Sequence, residues 1–294
     1  MLVDDFIKYV RYEKNYSTHT VLAYTNDLRQ FLEYVESHSG EVNLSKVTAE
    51  VVRAWMVDRM DEGLAPRSMR RKLSCLKAYW RFLRKNGVVD TNPLLGVVAP
   101  KLRKPLPVFL KESEAERLLE IDPEEADFFP VVRDRLILDL FYSAGLRLSE
   151  LISLTDKDVD LSGCCLKVTG KRDKQRIVPF GIGLRDAIVD YLNIRNEQIA
   201  ERAERLLVRN DGKPLYPQMV YQMVHRRLSE VGTLSKNSPH VLRHTFATVL
   251  LNRGAELNAV KELLGHASLS ATEVYTHTTF AELKKVYKQA HPRA

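Results

Sequence analysis

Apolar residues recur at three- and four-residue intervals along most of this chain, the spacing of helices that bury one face. Up to about residue 90 there is no other pattern. Segments 2–13, 17–37, 48–62 and 66–86 each show it, with Thr48 and Pro66 as start signals and Gly87 as a stop. Four such segments predict a small helical domain over residues 1–90. Four prolines then fall within the fifteen residues 93–107. Proline opposes helix and favours extended chain, so 91–107 is read as a linker.

From 108 to 294 the pattern is mixed. Segments 111–121 and 127–145 are helical in spacing. The stretch 159–181, "VDLSGCCLKVTGKRDKQRIVPFG", reads instead as short strands. Leu166 and Val168 alternate with polar neighbours, and Ile177 and Val178 follow a turn at 170–174. Helices resume at 184–205, 217–231, 239–253, 257–264 and 271–276. An amphipathic helix, "FAELKKVYKQA", closes the chain, with Phe280, Leu283, Val286 and Tyr287 on one face. The fold class expected is mainly α, a four-helix domain followed by an α+β domain with a small antiparallel sheet.

One helix carries an unusual start. In "SPHVLRHTFATVLLNRG" (238–254), Ser238 suits the N-cap, Pro239 the first helical position and Gly254 the end. Leu242, Phe246, Val249 and Leu250 face inward by spacing. His240, Arg243 and His244 share one face of the first two turns. A helix N-terminus is already positive, and cations there are disfavoured unless an anion joins them.

Composition narrows the classes. The 294 residues are 45% hydrophobic and 28% charged, ordinary for a globular protein. No apolar run is long enough to span a membrane, and the start resembles no signal peptide, so a cytoplasmic protein with no membrane partner is expected. Three cysteines, Cys75, Cys164 and Cys165, give no disulfide framework and no zinc spacing. The adjacent pair is read as small buried hydrophobes. Net charge is +7, and its placement matters more than its size. Segment 65–86 holds eight Lys or Arg and no acid, including Arg67, Arg70, Arg71, Lys77 and Arg81. Met69, Leu73, Leu76 and Leu83 give that segment a core face. Its other face is either a solvated charged surface or a phosphate-contacting one. Helix 217–231 offers Gln222, His225, Arg226 and Arg227 opposite an apolar side of Val220, Met223, Val224 and Leu228.

A metal-free phosphodiester reaction needs a nucleophile, cations on the non-bridging oxygens and an acid for the leaving alkoxide. Arginine suits the oxygens, because its planar fork donates twice and stays charged. Arg147, in "SAGLRLSEL", and Arg243 are the candidates. In "ELLGHASLSATEVYTH", Gly265 ends a helix and His266 follows it. Ser270 and Glu273 form a capping box for a short helix bearing Tyr275. A phenol with an ordinary pKa near 10 needs neighbouring cations and a histidine base to attack at pH 7. The hairpin "TGKRDKQR" offers Lys171, Arg172, Lys174 and Arg176 as further cations.

Taken in order, "AGLRLSEL", "TGKRDKQRIVP", "HVLRHTFAT", "LLGHASLSATEVYTH" and "KKVYKQAHPRA" resemble the tyrosine recombinase (phage integrase) family, closest to Xer recombinases. The resemblance covers nearly the whole chain. It implies a SAM-like, core-DNA-binding domain at 1–90 and a catalytic domain at 108–294 ending in an exchange helix. It implies that Arg147 and Arg243 clamp the scissile phosphate, Lys171 protonates the departing 5′ oxygen and His240 assists proton transfer. His266 would hydrogen-bond the phosphate, and Tyr275 would attack to form a 3′-phosphotyrosine. His244 is read as a neighbour without direct duty. No cofactor or metal is implied. Double-stranded DNA is the implied partner, gripped by a two-domain clamp within a homo-tetramer, or a heterotetramer with a related recombinase. The last helix would dock on a neighbouring protomer, and a DNA translocase is a candidate activator. The compact layout favours chromosome-dimer resolution over integration of a mobile element.

Rival readings exist. His240, His244, His266 and His277 suggest a metal enzyme, yet Val241 stands where a zinc protease helix carries Glu. A binding protein without catalysis and a relaxing type IB topoisomerase are the others.

Overall fold

A computed structural model describes residues 2–102, 108–120, 124, 128–170, 173–231, 234, 236–265 and 280–293. The chain divides into two compact units, 1–105 and 106–294, each with its own core.

Among the described residues the first unit has four α-helices: α1 (Leu2–Lys8), α2 (Thr18–Ser39), α3 (Ala49–Asp61) and α4 (Pro66–Lys85). Their inward faces meet in an aromatic cluster of Phe6, Phe31, Trp55, Tyr79 and Trp80. Phe31 lies edge-on to Trp55 and Trp80, with ring centres 4.9 and 5.8 Å away. Ser17 caps α2 by accepting from the Thr20 amide at 3.3 Å, and Gly40 closes it at φ +73°. The first helix differs from expectation. It runs as α-helix only to Lys8, then widens into a π-helical turn over Tyr9–Glu13. Phe6 and Val10 are both buried, and Asn15 at φ +49° lies just past the turn.

The basic segment is less uncompensated than its sequence suggests. Asp27 of α2 is 1% exposed and takes Lys72 at 2.9 Å, together with Arg71. Lys72 also donates to Gln30 at 2.5 Å, and its ammonium lies over the Trp55 ring. Two of the cations are therefore structural ties between α2 and α4, supplied by an acid 44 residues away from Arg71.

The second unit is built on α6 (Phe129–Ala144), buried along nearly its whole length. It packs against α5 (Glu112–Leu119), α8 (Ile182–Gln198) and α10 (Pro239–Asn252). The short helix α7 (Leu148–Ser153) leads to a three-stranded antiparallel sheet, β1 (Val159–Asp160), β2 (Cys165–Thr169) and β3 (Gln175–Pro179). Leu166 pairs with Val178 and both are fully buried, as the alternation predicts, whereas Ile177 is exposed. Cys164 and Cys165 are only partly buried, a correction to the sequence reading. Cys164 occupies a left-handed turn at φ +51° leading into β2.

Helix α8 stops at Gln198, seven residues short of expectation. Arg195 ends it. The guanidinium is 1% exposed and donates to both carboxylate oxygens of Asp156 at 2.8 Å and to the Leu206 carbonyl at 2.7 Å. Those bonds draw 199–208 back along the helix. The remaining elements are α9 (Pro217–Val231), α11 (Leu257–Leu264) and α12 (Phe280–Ala290). The helix expected at 271–276 lies outside the described residues.

Helix α12 sits on its own chain. Leu283, Tyr287 and Ala290 join Phe246, Leu250, Val260, Leu263 and Leu264 in one cluster, while Phe280 is exposed and Val286 half-buried. The Tyr287 hydroxyl donates to the Ser143 carbonyl at 3.0 Å, and Arg293 pairs with buried Asp139 at 3.0 Å. This is its seat within one chain, and the docking on a neighbour that the resemblance implies concerns an assembly of several. Among the described residues no helix is long and apolar enough to cross a membrane.

Candidate active site

Three breaks in regular structure and the strand β3 converge beside α10. Helix α6 ends at Gly145, whose φ of +58° turns the chain toward α7. A side chain here would need more than conformational tolerance. A Cβ on Gly145 would lie 2.5 Å from the Phe246 ring. Arg147 then occupies the N-cap of α7, and Glu150, three residues on, accepts from the Arg147 amide at 2.8 Å. Gly265 closes α11 at φ +60°. β3 brings in Arg176.

Glu150 is the hub. Its carboxylate is 2% exposed and receives Arg176 in a two-pronged grip at 2.8 and 2.9 Å. Arg147 adds a bond at 2.6 Å, and Arg243 lies 3.9 Å away. Burial alone would raise the pKa of this carboxyl. The bonds and charges of Arg176 and Arg147 overcome burial and hold its pKa down at about 2. The guanidiniums are fixed from their other sides by carbonyls. Arg243 donates to Gly145 and, at 2.6 Å, to Leu264. Arg147 donates to Gly265 at 2.9 Å, and Arg176 to Leu263 at 2.8 Å. Helix C-termini leave such carbonyls free, so the ends of α6 and α11 serve as the scaffold.

The charge balance is uneven. Three guanidiniums share one carboxylate, and the bidentate bond commits Arg176 to it. Arg147 and Arg243 carry the surplus. Arg243 is buried, and burial and then Arg147 lower its pKa to about 10, so it stays charged at neutral pH. Arg147 is the more open, with about a third of its side chain exposed. Beside it lies a pocket of about 140 Å³ lined by Leu146, Arg147, Leu148, Tyr221, Pro239 and His240. Burial first, then Arg243, His244 and Arg147, push the pKa of His240 down. Its imidazole is thus neutral at pH 7 and able to take a proton. His244 faces solvent one turn further along. Within the described residues no group of three or more His, Cys, Asp or Glu is placed to hold a metal ion.

Of the six residues singled out for chemistry, Arg147, His240 and Arg243 lie together here. Lys171, His266 and Tyr275 lie outside the described residues. Sequence reasoning missed Glu150 and gave Arg176 no role. The R-x-x-E spacing of Arg147 and Glu150 was the available signal, a capping-box pattern with arginine in the cap position. The sequence holds no comparable signal for the Arg176 grip, because Glu150 lies 26 residues away.

The surface cations sort into two groups. Arg67, Arg70, Lys77, Arg81 and Arg84 are exposed on α4 at steps of three, seven, four and three residues, a basic stripe along one face with Ser74 in its gap. Arg71 is tied to Asp27. On α9, Tyr221, Gln222, His225 and Arg226 face solvent, while Arg227 pairs with Glu230 at 3.2 Å and so has its charge locally offset.

Comparison with known proteins decides the family. Residues 108–282 match the phage integrase family, and residues 3–87 match the phage integrase N-terminal SAM-like domain. The chain is 41% identical to the tyrosine recombinase XerC of Chlorobaculum tepidum, over 99% of this chain and 94% of that protein. The chain belongs to the phage integrase family and is a Xer-type tyrosine recombinase. It is 38% identical to the XerC of Pelotomaculum thermopropionicum, over 99% of this chain and 98% of that one, and 37% to that of Listeria innocua, over 98% and 97%. Among solved structures, the Tn1549 transposon integrase in complex with transposon right-end DNA superposes with a TM-score of 0.74 at 20% identity, covering 98% of both chains. The XerH site-specific recombinase bound to its difH substrate gives 0.68 at 23%, covering 96% of this chain and 83% of that one. Those likenesses bear on the fold of this recombinase.

Proposed function

We propose that this recombinase cuts and rejoins duplex DNA through a 3′-phosphotyrosine at Tyr275, and that its cellular task is resolving chromosome dimers. The observation that carries the chemistry is the surplus charge of Arg147 and Arg243 around a carboxylate already satisfied by Arg176. Two fixed guanidiniums, Arg147 at an open pocket and Arg243 buried behind the same carboxylate, suit the two non-bridging oxygens of a phosphodiester. Losing one such preorganised donor costs roughly 3–4 kcal/mol of transition-state stabilisation. The Tyr275 oxygen attacks phosphorus, the bond to the 5′ oxygen breaks, and the phosphodiester count is unchanged. A 5′ hydroxyl from another strand reverses the step, so no ATP is needed. His240 takes the phenol proton, Lys171 delivers one to the departing 5′ oxygen, and His266 hydrogen-bonds the phosphate. Lysine suits that duty because it can lose its proton, as arginine cannot.

DNA is held by the α4 stripe of Arg67, Arg70, Lys77 and Arg81, by Arg226, and less by Arg71 and Arg227, whose charges are already paired. Assembly is a tetramer on two duplexes, of one recombinase or of two related ones, with a DNA translocase as candidate activator. In that assembly α12 leaves its own core and docks on a neighbouring protomer. The cellular task is favoured by full-length likeness to proteins named XerC.

The test uses nicked half-sites and denaturing gels. The wild type becomes covalently attached to DNA, and Tyr275→Phe binds without attaching. Lys171→Ala cleaves slowly, and a 5′-thio leaving group, which needs little protonation, restores the rate. An adduct formed by Tyr275→Phe refutes the nucleophile, and absence of thio rescue refutes the role of Lys171.

A further inference from the structure

The pocket beside Arg147 is more apolar than phosphate binding requires. Leu146, Leu148, Pro239 and the ring of Tyr221 form most of its wall, and the cation and the imidazole stand at its edge. Each of these side chains is held by a different constraint. Leu146 is fully buried in the turn after Gly145, and Leu148 packs on the main core at the first position of α7. Pro239 is the first residue of α10. Tyr221 projects from α9, which packs against α7, and is 46% exposed, although Val220, Met223 and Val224 beside it are buried. A half-exposed aromatic that closes an apolar niche next to a cation pair has no role in the chemistry above.

The volume is about 140 Å³. At ~30 Å³ per water molecule that is the room of about five waters, the scale of one five-membered sugar ring and too small for a base pair. A deoxyribose is joined directly to the phosphate, so whatever enters this niche while the phosphate meets Arg147 is the adjoining sugar. Its C–H faces suit aliphatic and aromatic walls, which exclude water from the reacting phosphate.

We infer that Tyr221, with Leu146, Leu148 and Pro239, forms a binding subsite for the deoxyribose next to the scissile phosphate. This rests on the phosphate-clamp reading of Arg147 and extends it to specificity of position. The sugar fixes which phosphorus stands in line with the nucleophile, so the subsite acts on the rate of cleavage more than on affinity. Affinity stays with the many phosphate contacts elsewhere.

The test crosses protein variants with altered substrates. Nicked half-sites carry, on either side of the scissile phosphate in turn, a normal nucleotide, a tetrahydrofuran residue that keeps the ring without a base, or a three-carbon spacer that removes both. Single-turnover cleavage is followed as covalent adduct, and binding by gel shift. Tyr221→Ala is expected to cleave the normal site about tenfold more slowly, close to 1.4 kcal/mol in barrier, with unchanged affinity. Tyr221→Phe is expected to match the wild type, since the ring and not the hydroxyl packs. The penalty of Tyr221→Ala should persist on tetrahydrofuran and vanish on the spacer at one of the two positions. A penalty that is the same on every substrate overturns the subsite. Loss of the penalty already on tetrahydrofuran overturns the sugar assignment in favour of base contact. If wild type forms no adduct with any site, the phosphate-clamp reading fails, and the subsite falls with it.

Discussion

Replacing Glu150 with Gln tests the hub of the site by its energetics. The carboxylate is 2% exposed, gripped by Arg176 at two points and bonded by Arg147. Its pKa stands near 2 in the folded protein against an ordinary 4.5. That depression corresponds to roughly 3 kcal/mol of stability at neutral pH. Because the folded value is the lower one, the stabilisation is complete above about 4.5 and disappears as pH falls through 2. About 2 kcal/mol should remain at pH 3.5. In the Gln variant three guanidiniums lose their only nearby carboxylate among the described residues, which adds to the loss. For a unit of this size 1 kcal/mol moves the melting point by ~2–4 °C, so the catalytic unit of Glu150→Gln should melt roughly 6–12 °C lower at pH 7. The assay is urea unfolding of the full chain at stepped pH, with the two units' transitions resolved by calorimetry. A difference below ~1 kcal/mol at pH 7 would refute the hub. So would a difference that stays constant from pH 7 to 3.5.

Gly145→Ala combines a strained backbone with a Cβ 2.5 Å from Phe246, and it disturbs the carbonyl that holds Arg243. It should cost about 3 kcal/mol, whereas Gly254→Ala, at φ +86° with open space, should cost nearer ~1, read by denaturant midpoints. In the first unit Lys72→Met strips Asp27 of its buried partner and should cost about 3 kcal/mol. Asp27→Leu combined with Lys72→Met should recover most of that in the same measurement; failure to recover would mean the ion pair is not what the single change breaks. Since His240 has a lowered pKa, adduct formation should be level through pH 7 and fall with acid only below its ordinary 6.5. A fall already at pH 7.5 would show the imidazole to be protonated in the working range.

Periodicity made the helices legible because most of them are one-sided: α4 buries Met69, Leu73, Leu76, Tyr79, Trp80 and Leu83 and shows all its cations but Lys72 to solvent. The strand pair was equally plain, since Leu166 and Val168 face one core. Legibility failed where a distant polar contact overrides local preference. Arg195 stops α8 through Asp156, 39 residues away, and Asp27 turns two apparently free cations of α4 into ties. In the site, the spacing around Arg147 and Arg243 pointed to clustered cations, and the two do gather around one carboxylate. Their neutraliser was hidden, because Glu150 looks like any helix-start acid until β3 folds Arg176 onto it. The seat of α12 was also ambiguous in sequence. Leu283 and Tyr287 would suit a neighbour's groove as well as their own core, and within one chain they take their own core, beside bonds to Ser143 and Asp139.

The central claim is that Arg147 and Arg243 present a DNA phosphate to Tyr275. Its most direct measurement is mass spectrometry of the covalent product. Wild-type protein is trapped on a nicked site, digested with trypsin and nuclease, and its nucleotide-bearing peptide sequenced. The account predicts a 3′-linked nucleotide on the peptide containing Tyr275, absent when either arginine is replaced by Gln although DNA is still bound. A nucleotide on any other residue, or undiminished modification of Tyr275 without the two arginines, would contradict it.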